Sequence, residues 1–187
     1  MELTANIARD ELVERCKQGH APSYQTLYQQ YAKAMFNTSL RIVNNRADAE
    51  DVLQEAFVDA FRSLNDFHYR STFGAWLKRI VINKSINVLR KRKVYLMEIE
   101  EESMGEIPQE ESVDESEIAY KVQQVKKAIE KLPDGYRTVL TLYLLEGYEH
   151  EEIAEILNVA QSTVRTQYIR AKQKLLSLLK ENALHEQ

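Results

Sequence analysis

A row of side chains near the C-terminus could read DNA. Ser162, Arg165, Thr166, Ile169, Arg170 and Gln173 fall on one side of a helix, with Thr163 in the same first turn. Val164, Tyr168, Ala171, Leu175 and Leu178 fall on the other, by a step of about 100 degrees per residue. In a major groove an Arg can fork onto guanine, hydroxyls and amides meet base edges or phosphates, and an aliphatic touches a thymine methyl. A second set lies in Phe67-His68-Tyr69-Arg70-Ser71-Thr72-Phe73. Rings of this kind stack on unpaired bases, and basic neighbours hold the strand's phosphates. Phe67, Tyr69 and Phe73 are too many rings for a small core to take from a polar loop. They are therefore not all expected to enter the core. On the helix that follows, Trp76, Ile80, Asn83 and Asn87 share one flank. An Asn near a core needs a partner, and a base edge suits it. Lys78, Arg79, Lys84 and Arg90 supply phosphate contacts.

A third set is four acids and an amide: Asp48, Glu50, Asp51, Gln54 and Glu55. Acids in a first helical turn suit the positive end of the dipole. That accounts for Asp48, Glu50 and Asp51 but not for Glu55 and Asp59 further on. Such a face repels DNA and fits a basic protein surface instead.

These residues need helices to position them. The chain has 187 residues, with only 5 Gly and 3 Pro, a composition that favours helices over turn-rich sheets. The apolar period places helices over Leu12–Cys16, from Ser23 to the Asn44-Asn45 break, from near Asp48 to Leu64, and from Phe73 to Arg92. Phe73, Leu77, Ile80, Val81 and Val88 of the fourth point inward, and it ends in Arg90-Lys91-Arg92-Lys93. Beyond residue 118, Val122, Val125, Ile129 and Leu132 form a helix face stopped by Pro133-Asp134-Gly135. A second helix runs from Arg137 to Leu145. An acidic amphipathic helix, Glu151 to Leu157, then turns at Asn158-Val159-Ala160 into the basic helix. That is a helix-turn-helix pattern.

Charge divides the chain. Residues 96–118 hold ten acids and no Lys or Arg. The net charge is −4, and without this segment it would be +6. The segment has no sustained apolar period and contains Gly105 and Pro108, so it reads as a flexible linker. The expected fold is all-α, two small helical domains (1–95 and 119–187) joined by a flexible acidic linker (96–118), the second a helix-turn-helix.

Catalysis finds no support. The single Cys excludes an internal disulfide and a Cys-rich zinc site, and the four scattered His show no paired metal-ligand spacing. There is no Gly-rich phosphate loop and no nucleophile–base pair, and no cofactor is implied. Glu151-Glu152 is a first-turn acid pair whose side chains diverge. No run approaches the roughly 20 apolar residues of a membrane span, and Met-Glu-Leu-Thr is not a signal peptide, so a cytoplasmic protein is expected.

Together the segments resemble bacterial sigma factors of the small, two-domain extracytoplasmic-function type. Asp48-Ala-Glu-Asp-Val-Leu-Gln-Glu-Ala-Phe57 is similar to the family's region-two helix that docks on a coiled coil of core RNA polymerase. Phe73-Gly-Ala-Trp-Leu-Lys-Arg-Ile-Val-Ile-Asn83 is similar to its downstream (−10) promoter reader. Leu132-Pro-Asp-Gly-Tyr-Arg137 and the two C-terminal helices are similar to region four, which reads the upstream (−35) element. The resemblance implies core polymerase and promoter DNA as partners, and often an anti-sigma protein. By position it implies that Asn83 lies in the pocket for a flipped base, that Phe67 to Thr72 wraps that base, and that Arg165, Thr166, Ile169 and Arg170 face the upstream duplex. Departures are Gln161-Ser162 before the reading helix, Glu149 at a usual Ser/Thr cap, and His68-Tyr69 in place of a frequent Arg-Gly pair. A plain helix-turn-helix regulator that binds its operator without polymerase is the competing reading; it leaves the aromatic loop and the Trp76/Asn83 flank without a role. An enzyme acting on nucleic acid is a third.

Overall fold

The computed structural model describes residues 10–92 and 115–185, with side chains over 10–92 and 122–181. Eight α-helices and two short turns make up the described residues, in two compact units divided after Lys91. The expected linker lies outside the described residues over 96–114; a helix already begins at Glu115.

The first unit is a four-helix body. Helix α1 (Glu11–Lys17) starts where the Asp10 carboxylate accepts the Leu12 N–H at 2.9 Å. Helix α2 (Ala21–Val43) has Pro22 in its first turn, where a missing N–H costs nothing, and ends at Asn44 with φ +50°. Helix α3 (Arg46–Arg62) begins earlier than the acids suggest, because the Asn45 side chain caps it by accepting the Asp48 N–H. A single 3-10 turn (Leu64–Asp66) leads into the loop before α4 (Phe73–Lys91). Thr72 caps α4 by accepting the Ala75 N–H at 3.2 Å.

Helices α2, α3 and α4 pack around Leu27, Met35, Val52, Phe57, Leu77 and Val81. Helix α4 buries more than its expected stripe. Ile82, Ser85, Ile86 and Leu89 are interior, whereas Ile80 and Val88 are only partly covered. Small polar residues explain the extra depth. Ser85 donates to the Ser39 hydroxyl at 3.0 Å across the interior and is recorded at 2.8 Å from its own-helix Val81 carbonyl. Gly74 serves the same close packing: a Cβ there would stand 2.8 Å from the Tyr31 ring.

The second unit contains α5 (Glu115–Glu130), α6 (Asp134–Leu140), a π-helical turn (Thr141–Leu145), α7 (His150–Leu157) and α8 (Gln161–His185). Helix α6 opens at Asp134, not Arg137. Buried Arg137 explains the shift: it donates to the Leu132 carbonyl at 2.8 Å and pairs with Asp134, closing the Pro133-Asp134-Gly135 turn. Val122, expected inward, is 45 % exposed; the described core contacts of α5 begin at Val125 and run through Ala128, Ile129 and Leu132.

Candidate nucleic-acid interface

In the first unit the site is the loop from Phe67 to Thr72 and the outer flank of α4. The three rings are not all expected to fit the core, yet all of them turn inward. Phe67 is 2 % and Phe73 3 % exposed. Their rings pack with Trp76, with centroids 5.1 Å from Phe67 and 5.7 Å from Phe73. Tyr31 closes the cluster from α2 against Phe73 at 5.4 Å. The core takes these rings because edge-to-face and tilted pairs let them nest without polar cost. Phe67 is thus a core residue and no platform for a base.

Tyr69 is turned inward by a different route. Its φ is +55°, the left-handed region where Gly is at ease. The phenol donates to Glu14 Oε1 at 2.8 Å, with the Asp10 carbonyl at 3.4 Å. Burial first, then the bond to Glu14, push this phenol up to about 12. Lys17 of α1 donates to the Phe67 carbonyl at 2.8 Å and stands 4.9 Å from the Tyr69 ring centroid. Glu14 and Lys17 were not legible as site residues. They lie 50 or more positions from the loop, and an acid and a base three apart are common on helix surfaces.

The rest of the loop faces solvent more freely. His68, Arg70 and Thr72 are exposed, although the Thr72 hydroxyl is engaged as the α4 cap, and Ser71 is half-buried. Along α4, Trp76 and Arg79 are half-buried, and Asn83, Asn87 and Arg90 are exposed. Asn83 therefore has no interior position to justify and is open to an external partner. Arg90 leans on Asn87 at 3.3 Å.

Lys84 differs from its expected role. It is 21 % exposed and bridges Asp59 at 2.7 Å and Glu55 at 3.2 Å, tying α4 to α3. The hydrogen bond to Asp59, ahead of that to Glu55, raises its pKa despite some desolvation. Its charge is spent inside the protein. The same triad accounts for the acids that first-turn placement left over. On α3, Glu50 is held by Arg46 at 2.9 Å, Asp48 is half-buried, and Asp51 and Gln54 are exposed. Val58, one turn on, is exposed as well. The exposed face of α3 thus carries fewer unpaired acids than its sequence suggests, and Val58 adds an apolar group to it.

In the second unit the interface is the outer face of α8. Ser162, Arg165 and Thr166 are exposed, and Ile169 is 54 % exposed. Thr163, Arg170 and Gln173 are half-buried at its margins. No carboxylate among the described residues pairs with Arg165 or Arg170. The Thr166 hydroxyl donates back to the Ser162 carbonyl at 2.9 Å. Behind the face, Val164, Ala171 and Leu175 are buried. Tyr143, His150 and Tyr168 pack ring against ring at 4.7 to 5.1 Å, the first two stacked, and fix α7 against α8. Asn158, with φ +55°, makes the turn between them. The Glu149 cap is repaired from within: Glu152 reaches back and accepts the Glu149 N–H at 2.8 Å.

The described geometry therefore offers two exposed faces with amide, hydroxyl and guanidinium donors, one beside an aromatic loop and one on the second helix of a helix-turn-helix. No described helix is long and apolar enough to cross a membrane. A family model for Sigma-70 region 2 matches residues 27–94, and one for Sigma-70, region 4 matches residues 122–175. The chain is 30 % identical to the ECF RNA polymerase sigma factor SigW of Bacillus subtilis, over 90 % of this chain and 95 % of that one. It is 31 % identical to the ECF RNA polymerase sigma factor SigE of Mycolicibacterium smegmatis, over 89 % of this chain, and spans 65 % of that relative's length. Among solved structures it is similar to CnrH, determined in complex with the cytosolic domain of CnrY. That match has a TM-score of 0.55 and 25 % identity and covers 91 % of this chain and 96 % of CnrH.

Proposed function

The chain belongs to the sigma-70 family, among the RNA polymerase sigma factors of the extracytoplasmic-function (ECF) type, and from that premise we propose how its surfaces divide the work. A sigma factor binds core RNA polymerase, directs it to particular promoters and helps open the DNA. The polymerase performs the chemistry; this chain is a cytoplasmic specificity subunit with no catalytic group of its own. Three regions carry the parts: residues 1–95 dock on polymerase and read the downstream element, 96–118 link, and 119–187 read the upstream element.

Docking uses Asp51 and Gln54 of α3, with Val58 beside them and Asp48, Glu50 and Glu55 at the edge. Downstream reading uses Trp76, Asn83 and Asn87 for a flipped base, wrapped by His68, Arg70, Ser71 and Thr72. Arg79 and Arg90 hold the strand's phosphates. Upstream reading uses Arg165, Thr166 and Ile169, flanked by Ser162, Thr163, Arg170 and Gln173. The observation that carries this reading is the exposure of Asn83 and Asn87 on the flank that holds half-buried Trp76. Nothing in the packing of the first unit calls for amides there, and a single-stranded base offers edges and a face that match them. A protein partner that silences the chain, an anti-sigma factor, fits the same surfaces; CnrH was solved in complex with the cytosolic domain of CnrY.

Mixing the purified chain with bacterial core polymerase tests the reading. Promoter-specific transcripts that appear only when both are present are expected. Tight binding to duplex DNA by the chain alone, with nothing added to the core enzyme, would favour a free-standing helix-turn-helix regulator.

A further inference from the structure

We propose that α1 is the positioning element of the strand-reading loop: Glu14 and Lys17 hold Tyr69 and the Phe67 carbonyl, and so fix where His68 and Arg70 stand. This rests on the downstream-reading role just assigned. Four contacts converge from one short helix and its cap onto two loop residues, Phe67 and Tyr69. The Tyr69 phenol meets Glu14 at 2.8 Å and the Asp10 carbonyl at 3.4 Å. The Lys17 ammonium donates to the Phe67 carbonyl at 2.8 Å and lies 4.9 Å from the Tyr69 ring centroid. Glu14 and Lys17 also face each other at 3.5 Å, so each braces the other.

The backbone shows why the clamp is needed. Tyr69 occupies the left-handed region at φ +55°, which a side chain with a Cβ adopts only when its surroundings hold it there. The ring is what is held. Anchored inward, it leaves His68 and Arg70 on either side directed at solvent. Beyond Tyr69 the recorded loop bonds are local, Ser71 to the Thr72 carbonyl and Thr72 to its own helix. A loop ordered before it meets DNA has less freedom to lose on binding. Tyr69 is on this account a positioning residue and not a stacking one.

The test uses the full chain assembled with core polymerase. The probe is a short single-stranded DNA enriched from a randomised pool on the wild-type holoenzyme. Three quantities are read: strand affinity, core affinity, and amide hydrogen exchange across residues 67–72. Tyr69→Phe removes the phenol bonds but keeps the ring, and Lys17→Met keeps the aliphatic stem. Each is expected to speed exchange in the loop and to weaken strand binding roughly tenfold, with core affinity unchanged. Glu14→Gln keeps an acceptor for the phenol and should stay within about twofold of wild type. Unchanged strand affinity in both Tyr69→Phe and Lys17→Met overturns the clamp and leaves the downstream role standing. Equal loss of core affinity in those variants overturns it too, because the effect is then one of general folding. A wild-type holoenzyme that captures no strand overturns the downstream role, and the clamp with it.

Discussion

At the scale of single residues, the recognition chemistry divides, on the proposed reading, between two exposed side chains. Asn83 faces solvent from α4, and Arg165 faces solvent from α8. Asn83→Ala should slow promoter opening while leaving polymerase binding near wild type, as read by permanganate reactivity of the melted region. Arg165→Ala should weaken upstream duplex binding by about 1–3 kcal/mol, the worth of a bidentate base contact. Equal loss of polymerase affinity in both would end that division. Tyr69 supplies a pH-dependent signature. Its phenol sits at about 12 in the fold against 10.0 unperturbed, so the fold favours the protonated form. That contribution is complete below pH 10 and disappears as pH rises through about 12. In an alkaline absorbance titration one late tyrosinate step should vanish in Tyr69→Phe. The step from Tyr31, also raised by burial, should persist.

At the scale of elements, α4 does two jobs on opposite sides. Its inner side packs against α2 through Gly74, Ser85 and Leu77, and its outer side carries Asn83, Asn87 and Arg90. Gly74→Ala would drive a methyl into the Tyr31 ring, itself set against Phe73. A cost of about 1–3 kcal/mol is expected, seen as a lowered Tm of the full chain. Between the sides, Lys84 is already neutralised by Asp59 and Glu55. Lys84→Met should therefore leave the salt dependence of strand binding by the holoenzyme unchanged. Arg79→Ala should flatten that slope by about 0.7, the share of one phosphate contact on a single strand. If both variants flatten it equally, Lys84 is a phosphate contact after all.

For the whole molecule the governing quantity is charge in sequence order. Residues 1–95 carry 15 basic and 10 acidic side chains, residues 119–187 carry 10 and 9, and the ten acids of 96–118 lie between them. On the proposed division each reader alone has a small basic excess, so the free chain should bind promoter duplex weakly. Polymerase that grips both readers makes the second contact effectively intramolecular. Apparent affinity should then rise by about 10²–10⁴-fold over either reader, as measured by filter binding with and without core enzyme. A free chain that binds as tightly as the holoenzyme would contradict this.

The chain's own order of residues determined the helical class, the helix-turn-helix and the outer face of α8, because an amphipathic period and a turn residue such as Asn158 are local signals. It also determined the family, since three motifs in sequence order need no tertiary information to be seen. Tertiary structure decided which aromatic and charged groups remain available. Phe67, Tyr69 and Phe73 read as too many rings for one small core, yet the interior had room for tilted rings. Lys84 read as a phosphate contact, and Glu55 as a free acid of α3, until the two were seen to pair. Tyr69 read as bulk in a glycine's place, whereas Glu14 and Lys17, 50 or more positions earlier, give it a purpose. Pairings across such distances depend on how the helices pack, and no local period of the chain records them.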